Sequence, residues 1–419
     1  MSVELKEGRG EVFHFRDSVF LDLALLLFSS LILRFLLASL DGYRTDLNTF
    51  TAWFYAATEG SILDFYRNIW CDYPPFNVVI FWFFGVIARG FSLFGTPSLL
   101  YVLKLPSNLF DIGISALIFF YLRKRMGRRW AFLVTAAYAF NPATIFNASI
   151  WGQFDAIYTF FILLSLILIL EDKPRASLVS FAFAVLSKPQ AFAFLPVIVL
   201  LVIERFHWKE RILSFLSFSA IILLFIVPFY PENPIDFVFR LYLGGYSQYR
   251  FVSLNAFNLW AFVGFTVQDT ESILPLLTYQ IAGWILFGIL LCLILYCAGP
   301  ESFSKRYNSL TIYLTYLVFF AFFLVLTRMH ERYLFPVIAL SLLSLTYTKK
   351  ATLIFGVVTG TVLFNQAYTL QFLNNQMFVP SGDPAAYATS LLNLAVFSYS
   401  LYLLFSEERL KRKSKGNEF

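Results

Sequence analysis

Residues 150–169 read IWGQFDAIYTFFILLSLILI, and their reading decides the fold. From Phe160 the run is apolar but for one serine, yet Gln153 and Asp155 stand at its head. A polar pair in that place marks either the end of a helix leaving lipid or a place where chemistry is done. The rest of the chain repeats the apolar pattern. It has 419 residues, of which 59 % are hydrophobic and 14 % charged, with 52 phenylalanines. Mean hydropathy is +0.70. A soluble domain carries roughly a quarter charged residues. Apolar runs near twenty residues fit a hydrocarbon layer of about 30 Å as helices, because a helix satisfies its own backbone polar groups. The expected fold class is therefore all-α, a polytopic membrane helix bundle.

Net charge is +6, and its placement carries more information than its size. Basic clusters at 123–129 (RKRMGRR), at Lys349 and Lys350, and at 409–415 lie between or after apolar runs. That is a topology signal, and no nucleic-acid footprint accompanies it. Three cysteines, two of them (Cys292 and Cys297) inside an apolar run, offer no disulfide framework and no thiolate metal site. The first apolar run has no small-residue cleavage site behind it and reads as a retained anchor. No HExxH, phosphate-binding loop or GxGxxG unit is present, so nucleotide-driven chemistry has no support.

Twelve spans are expected, at about 18–40, 107–122, 130–147, 155–170, 176–187, 189–203, 211–230, 275–297, 309–327, 331–347, 351–368 and 386–405. With 123–129 in the cytoplasm, every other basic cluster falls on the same side. Both termini are then cytoplasmic, with Lys6, Arg9 and Arg16 at one end and the tail 406–419 at the other. The run 76–95 breaks parity if it crosses. With Arg89 inside it, it reads as a helix lying at the interface. The chain is thus expected as a single membrane domain over 1–419. It has a first external loop at 41–106 that carries juxtamembrane helices and a long external loop at 231–274. The weakest element is 176–203, split into two short helices around Lys188 and Pro189.

Under this topology five polar stretches meet at one membrane face: DGYRTDLNTF (41–50) with WCDYPPF (70–76), WGQFD (151–155), SKPQ (187–190), 239–260, and RMHERY (328–333). Ionisable groups beside an apolar slab are costly and face a cavity or a partner. Each has a plainer reading. Asp46 is a solvated loop carboxylate, and Asp72 caps the helix that Pro74 and Pro75 open. Gln153 and Asp155 cap the next span, Lys188 snorkels, and His330 with Glu331 forms a local pair. Those readings do not explain why all five stretches share one side. Arg34 and Asp111, inside or at the edge of spans, are expected in salt bridges within the bundle.

Seven motifs run in order along 20–340: TDLNTFTAW (45–53), DYPP (72–75), LPSNLFDI (105–112), NPATIFNASIWGQFD (141–155), KPQ (188–190), SLNAFNLWA (253–261) and MHERYLFP (329–336). Through them the chain resembles the GT-C superfamily of integral-membrane glycosyltransferases. It looks closest to the prokaryotic mannosyltransferase-like branch related to the GPI-anchor mannosyltransferases. It shares features with the dolichyl-phosphate-glucose-dependent glucosyltransferases. The resemblance implies an acidic catalytic base in the first external loop, a position that Asp46 matches. It implies polyprenyl- or dolichyl-phosphate-linked sugar donors and inversion at the anomeric carbon. Two departures stand out: Pro189 intervenes in the Lys–Gln pair, and Arg332 replaces the lysine of a His-Glu-Lys motif.

The chemistry expected from the residues is transfer of a hexose, mannose by the resemblance, from a lipid phosphate to a hydroxyl. Acceptors are a lipid-linked glycan, a glycolipid or a protein. Asp46 is the expected base. Lys188, Arg250, His330 and Arg332 are the expected cations against the leaving phosphate. Asp72, Tyr73, Trp151, Gln153, Asp155, Gln190 and Glu331 complete the expected substrate site, with Gln153 and Asp155 bonded to sugar hydroxyls. Trp151, Tyr73 and Trp260 stack on the sugar or belong to the interfacial aromatic belt. Asp46, Asp72 and Asp155 are oxygen donors able to share a divalent ion, although the expectation leans to no metal and no other cofactor. The competing reading is a secondary transporter or a flippase of a lipid-linked sugar. Transport sites favour the bilayer midplane, whereas these residues gather at the ends of spans.

Overall fold

The computed structural model describes residues 7–416, and the side chains of 20–299 and 302–408. Lys6, the side chains of Arg9 and Arg16, and those of the basic run 409–415 lie outside the described residues. The described residues are predominantly helical. In order the helices are α1 (Glu7–Leu37), α2 (Arg44–Ala57), α3 (Phe65–Asn68), α4 (Pro75–Gly90), α5 (Leu99–Met126) and α6 (Arg128–Ala139). Next come α7 (Pro142–Ile145), α8 (Asp155–Leu170), α9 (Pro174–Val185), α10 (Leu195–Arg205), α11 (Trp208–Ile226) and α12 (Pro234–Gln248). The last five are α13 (Tyr279–Ala298), α14 (Asn308–Val325), α15 (Phe335–Leu343), α16 (Ala351–Asn374) and α17 (Pro384–Gly416). A short hairpin, β1 (Ser272–Leu274) with β2 (Leu277–Thr278), precedes α13.

Proline opens many of these helices. Pro75, Pro142, Pro174 and Pro234 all sit in a first turn, where the missing N–H costs nothing and φ is preset. Asparagine and threonine cap others. Asn141 accepts from Ala143 N at 2.9 Å, Asn233 from Asp236 N at 3.1 Å, and Thr278 from Ile281 N at 3.3 Å.

Among the described residues, seven helices are long and apolar enough to cross a membrane: Phe20–Leu37, Leu99–Met126, Trp208–Phe229, Tyr279–Ala298, Lys305–Val325, Ala351–Asn374 and Pro384–Glu408. The other five expected spans are built from shorter helices, among them Asp155–Leu170, Pro174–Val185 and Phe335–Thr346. The cause is local. Asn141–Pro142, Lys188–Pro189 and Pro336 interrupt them, and the breaks are where polar residues gather. The chain does divide around Lys188: α9 stops at Val185, a 3₁₀ turn covers Pro189–Phe194, and α10 follows. The run 76–95 is the 16-residue apolar helix α4.

Burial sorts the helices. α14 and α15 are buried on nearly every side and form the centre, with α8 packed beside them. α1, α11 and α13 leave most of their apolar surface outward. That is expected where lipid is the solvent. A second apolar cluster seats the first loop: Phe50, Trp53, Phe54 and Phe81 pack on Phe154 at the head of α8. Phe50 and Phe154 lie edge to face at 4.9 Å.

One ion pair holds the bundle near α1. Arg34 Nη1 meets Asp111 Oδ2 at 2.8 Å, and neither side chain reaches solvent. Tyr138 Oη donates to Asp111 Oδ1 at 2.6 Å, and Arg34 Nη2 donates to Ala139 O at 3.0 Å. The salt bridges expected for Arg34 and Asp111 are thus one bridge between them. Removing one partner strands a buried charge, at a cost of about 3–5 kcal/mol. Arg34→Met is expected to lower the thermal midpoint in detergent sharply. The double variant Arg34→Met/Asp111→Leu is expected to recover much of the loss, read by size-exclusion profile and melting curve.

Candidate functional site

The segment 141–155 builds one wall of the site. After α7 the backbone widens into a π-turn at Phe146–Trp151 and closes on Gly152, whose φ is +87°. π-turns gather at functional sites because they re-aim side chains. Three side chains of α5 hold this turn. Lys104 Nζ donates to Ile150 O at 3.0 Å and to Ala38 O at 3.1 Å and Leu40 O at 2.5 Å. Asn108 Oδ1 accepts from Ser149 Oγ at 2.7 Å. Ser107 donates to Gln153 O. The residues after α1 are thereby pinned against the turn. At Gly42 a Cβ would lie 2.3 Å from Trp151 O, so only glycine lets the chain pass.

This close passage sets Asp46, in the first turn of α2, beside the turn. Trp151 Nε1 donates to Asp46 Oδ2 at 2.9 Å, and Gln153 Nε2 donates to the same oxygen at 2.6 Å. Among the described residues no hydrogen bond reaches Oδ1. Burial pushes the Asp46 carboxyl above its ordinary range, opposed by Arg332 and by the Trp151 hydrogen bond.

Asp46 opens onto a cavity of about 580 Å³. Asp72, Tyr73, Trp151, Gln153, Lys188, Gln190, His330, Glu331 and Arg332 line it with Asp46. Five separate stretches of chain therefore meet. Asp155 stands behind the wall with no solvent exposure. Its Oδ1 takes Lys188 Nζ at 2.6 Å, and its Oδ2 takes Asn147 Nδ2 at 3.0 Å and lies 3.6 Å from Arg332 Nε. The expectation that Asp155 bonds to sugar hydroxyls is corrected here, because its oxygens are spent on two cations and an amide. Gln153 lines the cavity, and one of its two amide N–H groups is spent on Asp46. Arg250 is exposed and does not line the cavity, its Nε donating to Ser247 O at 3.2 Å. Trp260 is buried away from the cavity and donates to Val325 O at 2.8 Å.

The cations are arranged in pairs. Arg332 Nη1 donates to Glu331 Oε1 at 2.5 Å, and His330 Nδ1 lies 3.7 Å from Glu331 Oε2. Burial lowers the His330 pKa from its ordinary value, so the imidazole is neutral at pH 7. Burial alone would raise Glu331, but Arg332 and His330 hold it at about 2. Lys188, pushed down by burial and up by Asp155, sits among Tyr73, Tyr158 and Tyr333 at 5.6–5.9 Å from each ring centre.

Sequence reasoning missed several residues. Arg328 lines the cavity with φ +62°, its guanidinium clasping Asp269 at 2.6 and 3.0 Å and donating to Tyr246 O at 2.7 Å. Asn255, also at positive φ (+56°), accepts from Val379 N at 3.1 Å and, through its carbonyl, from Asn365 Nδ2 at 2.7 Å. Gln366 Oε1 accepts from Asn147 Nδ2 at 3.1 Å. The signal for Asn365 and Gln366 was their place inside an otherwise apolar helix. Among the described residues no group of three or more His, Cys, Asp or Glu is arranged to hold a metal ion.

No protein-family model matches the chain. No curated protein matches it either. Among solved structures it is similar to the Archaeoglobus fulgidus oligosaccharyltransferase tethered by a disulfide bond to an acceptor peptide with the NVT sequon. The two are 13 % identical with a TM-score of 0.41, and the match covers 91 % of this chain and 55 % of that one. The chain thus spans about half the length of that protein. What the helices themselves define is the class: an all-α polytopic membrane protein.

Gly42 offers a test of the wall. Gly42→Ala forces Cβ into a backbone carbonyl, and overpacking of this kind costs about 1–3 kcal/mol. Gly288→Ala, where no atom lies within 4 Å, is the control. Only the Gly42 variant is expected to lower the melting midpoint.

Proposed function

We propose that this protein is a membrane glycosyltransferase. It moves a hexose, mannose by the family resemblance, from a polyprenyl-phosphate donor to a hydroxyl of a lipid-linked glycan, glycolipid or protein. The acceptor oxygen attacks the anomeric carbon as the bond from that carbon to the phosphate oxygen breaks. The acceptor proton passes to Asp46, and the lipid phosphate leaves with the bonding pair. Attack opposite the phosphate inverts the centre, so a single carboxylate base suffices. One observation carries the reading. Asp46 has one oxygen fixed by two neutral donors and the other open, in the same cavity as Lys188 and Arg332.

The leaving phosphate gathers negative charge as the bond breaks. Preorganised N–H groups in a dry site stabilise such charge strongly. Lys188 gives one N–H to Asp155, Arg332 Nε lies 3.6 Å from Asp155 Oδ2, and Arg332 Nη2 makes no hydrogen bond among the described residues. Those remaining donors suit a phosphate. Active-site side extracytoplasmic and termini cytoplasmic is the orientation that the basic loops favour. No metal enters this scheme.

Purified protein incubated with a panel of polyprenyl-phosphate sugars tests the reading. Wild type is expected to form a glycosylated acceptor with inverted configuration, and Asp46→Asn to lose about 10²–10⁴ in kcat with KM little changed. Translocation of the donor across vesicles with no transfer is the result that sinks it. The pH profile is a second test. The base works only when deprotonated, so activity falls as pH drops through the Asp46 pKa. That acid limb is expected above the ordinary carboxylate range. Gln153→Glu places a second carboxylate beside Asp46 and is expected to move the limb to still higher pH.

A further inference from the structure

The sequence of α12 (Pro234–Gln248) divides the helix lengthwise. Phe237 and Leu241 are buried against the apolar cluster that seats the first loop. Tyr242, Gly245 and Tyr246 line the cavity. Asp236 and Arg240, the charged residues of the helix, pair with each other at 2.5 Å on a third side. Between the cavity side and the charged side runs a row of Ile235, Phe239 and Leu243, 71 %, 59 % and 56 % exposed. The spacing i, i+4, i+8 keeps these three large apolar side chains in line along the helix. A helix with one such row, and too polar on its other sides to cross a bilayer, suits the plane of a membrane surface.

What covers the row follows from where the two ends of α12 are tied. Residues 230–233 alone separate the helix from the apolar span Trp208–Phe229. Tyr66 locks that junction, its ring centre 5.6 Å from Phe229 and 4.9 Å from Phe237, and Tyr230 stacks on Phe237 at 5.6 Å. The start of α12 therefore stands level with the end of the span. At the other end Tyr246 Oη accepts from Gln280 Nε2 at 3.1 Å and from Trp284 Nε1 at 3.2 Å, in the first two turns of α13. Both α11 and α13 turn apolar surface outward, where lipid is the solvent, and Leu224, Val227, Trp284 and Ile285 near these ties are exposed. A helix of 15 residues, about 22 Å long, strung between the same-side ends of two spans lies along the membrane boundary. We infer that α12 is embedded in the surface of the membrane leaflet on the cavity's side, with Ile235, Phe239 and Leu243 among the acyl chains. Its partner is lipid, recognised by apolar burial. With its acid and its base paired, the helix offers no net charge to an anionic headgroup. The wall of the cavity that α12 supplies is thereby held at the edge of the lipid.

Spin labels on the full chain in phosphatidylcholine nanodiscs test this. Cys292 and Cys297 are first replaced by alanine, and the buried Cys71 is kept. Single labels are placed by Ile235→Cys, Phe239→Cys and Leu243→Cys along the row. Arg240→Cys and Gly244→Cys, on the other sides of the helix and exposed, are the controls. Oxygen, which partitions into lipid, and a water-soluble nickel chelate are the relaxing agents. Labels in the row are expected to favour oxygen, at a depth of about 5–10 Å into the headgroup and acyl boundary, and the two controls to favour nickel. The depths are expected to stay the same when phosphatidylglycerol is added. Phe239→Asp is expected to move the Leu243 label toward water, while Phe239→Leu leaves it in place. If Phe239→Asp does not fold, the labels on the otherwise unaltered helix still decide. Nickel reaching the whole row overturns the inference, and so does a depth that requires phosphatidylglycerol. A row reached by neither agent, as a second copy or another protein would leave it, overturns it too. The readout involves no sugar transfer, so it stands or falls apart from the glycosyl-transfer reading.

Discussion

A charge removed from water must find a partner, and Asp155 is where this chain meets that demand. Its two oxygens, fully buried, hold Lys188, Asn147 and, at longer range, Arg332. These come from the break after α9, the π-turn before α8, and the loop after α14. Each of those segments has just left a helix and has polar backbone groups to satisfy. In a medium that screens poorly, the ion pair fixes their relative positions more firmly than apolar contacts between loops could, because breaking a buried pair costs several kcal/mol. The cavity exists because its walls are gathered on this carboxylate.

The segment 141–155 is the hub of that gathering. Nearly every polar side chain in it has a partner on another helix. Asn141 receives α7 and donates to Thr359 of α16 at 2.8 Å. Asn147 joins Asp155 to Gln366 of α16. Ser149 and Gln153 meet α5. The turn therefore couples α5, α8 and α16, and Gly42 adds the chain leaving α1. Lys104 is the clearest sign of what this costs. A lysine inside an apolar helix is spent entirely on backbone carbonyls, three of them, at the place where α1 ends and the turn begins.

Much of this was legible in the residues. Apolar runs told the class, and the basic loops, taken with the runs, brought five polar stretches to one face. They do line one cavity, and Asp46 is in it. The roles were less legible than the places. Asp155 and Asp72 read alike in sequence, each an acid beside an aromatic, yet one is consumed by cations and the other has an oxygen with no hydrogen-bond partner among the described residues. Nothing in one dimension distinguishes them, since the difference lies in whether Lys188, 33 residues on, folds back. Arg250 and Arg328 were exchangeable for the same reason. The first points outward on the loop after α12, and the second turns inward through a positive φ that no periodicity announces. Helix lengths were misjudged wherever a proline or asparagine broke an apolar run, because hydropathy averages over a break that the backbone cannot ignore.

The chemistry of Asp46 follows from the kind of donors that hold it. An indole and a carboxamide are neutral, so they orient one oxygen without cancelling its charge. Two cations in their place would have lowered the carboxyl below its ordinary range and made it a weaker base. No donors at all would have left burial to raise it further. Arg332 acts from farther off, restraining the rise that burial causes. A carboxylate so placed is more basic than one in water, and among the described residues its second oxygen makes no hydrogen bond. Arg332 is clamped to Glu331, and in the proposed reaction that clamp keeps the guanidinium from closing on Asp46, the proposed base.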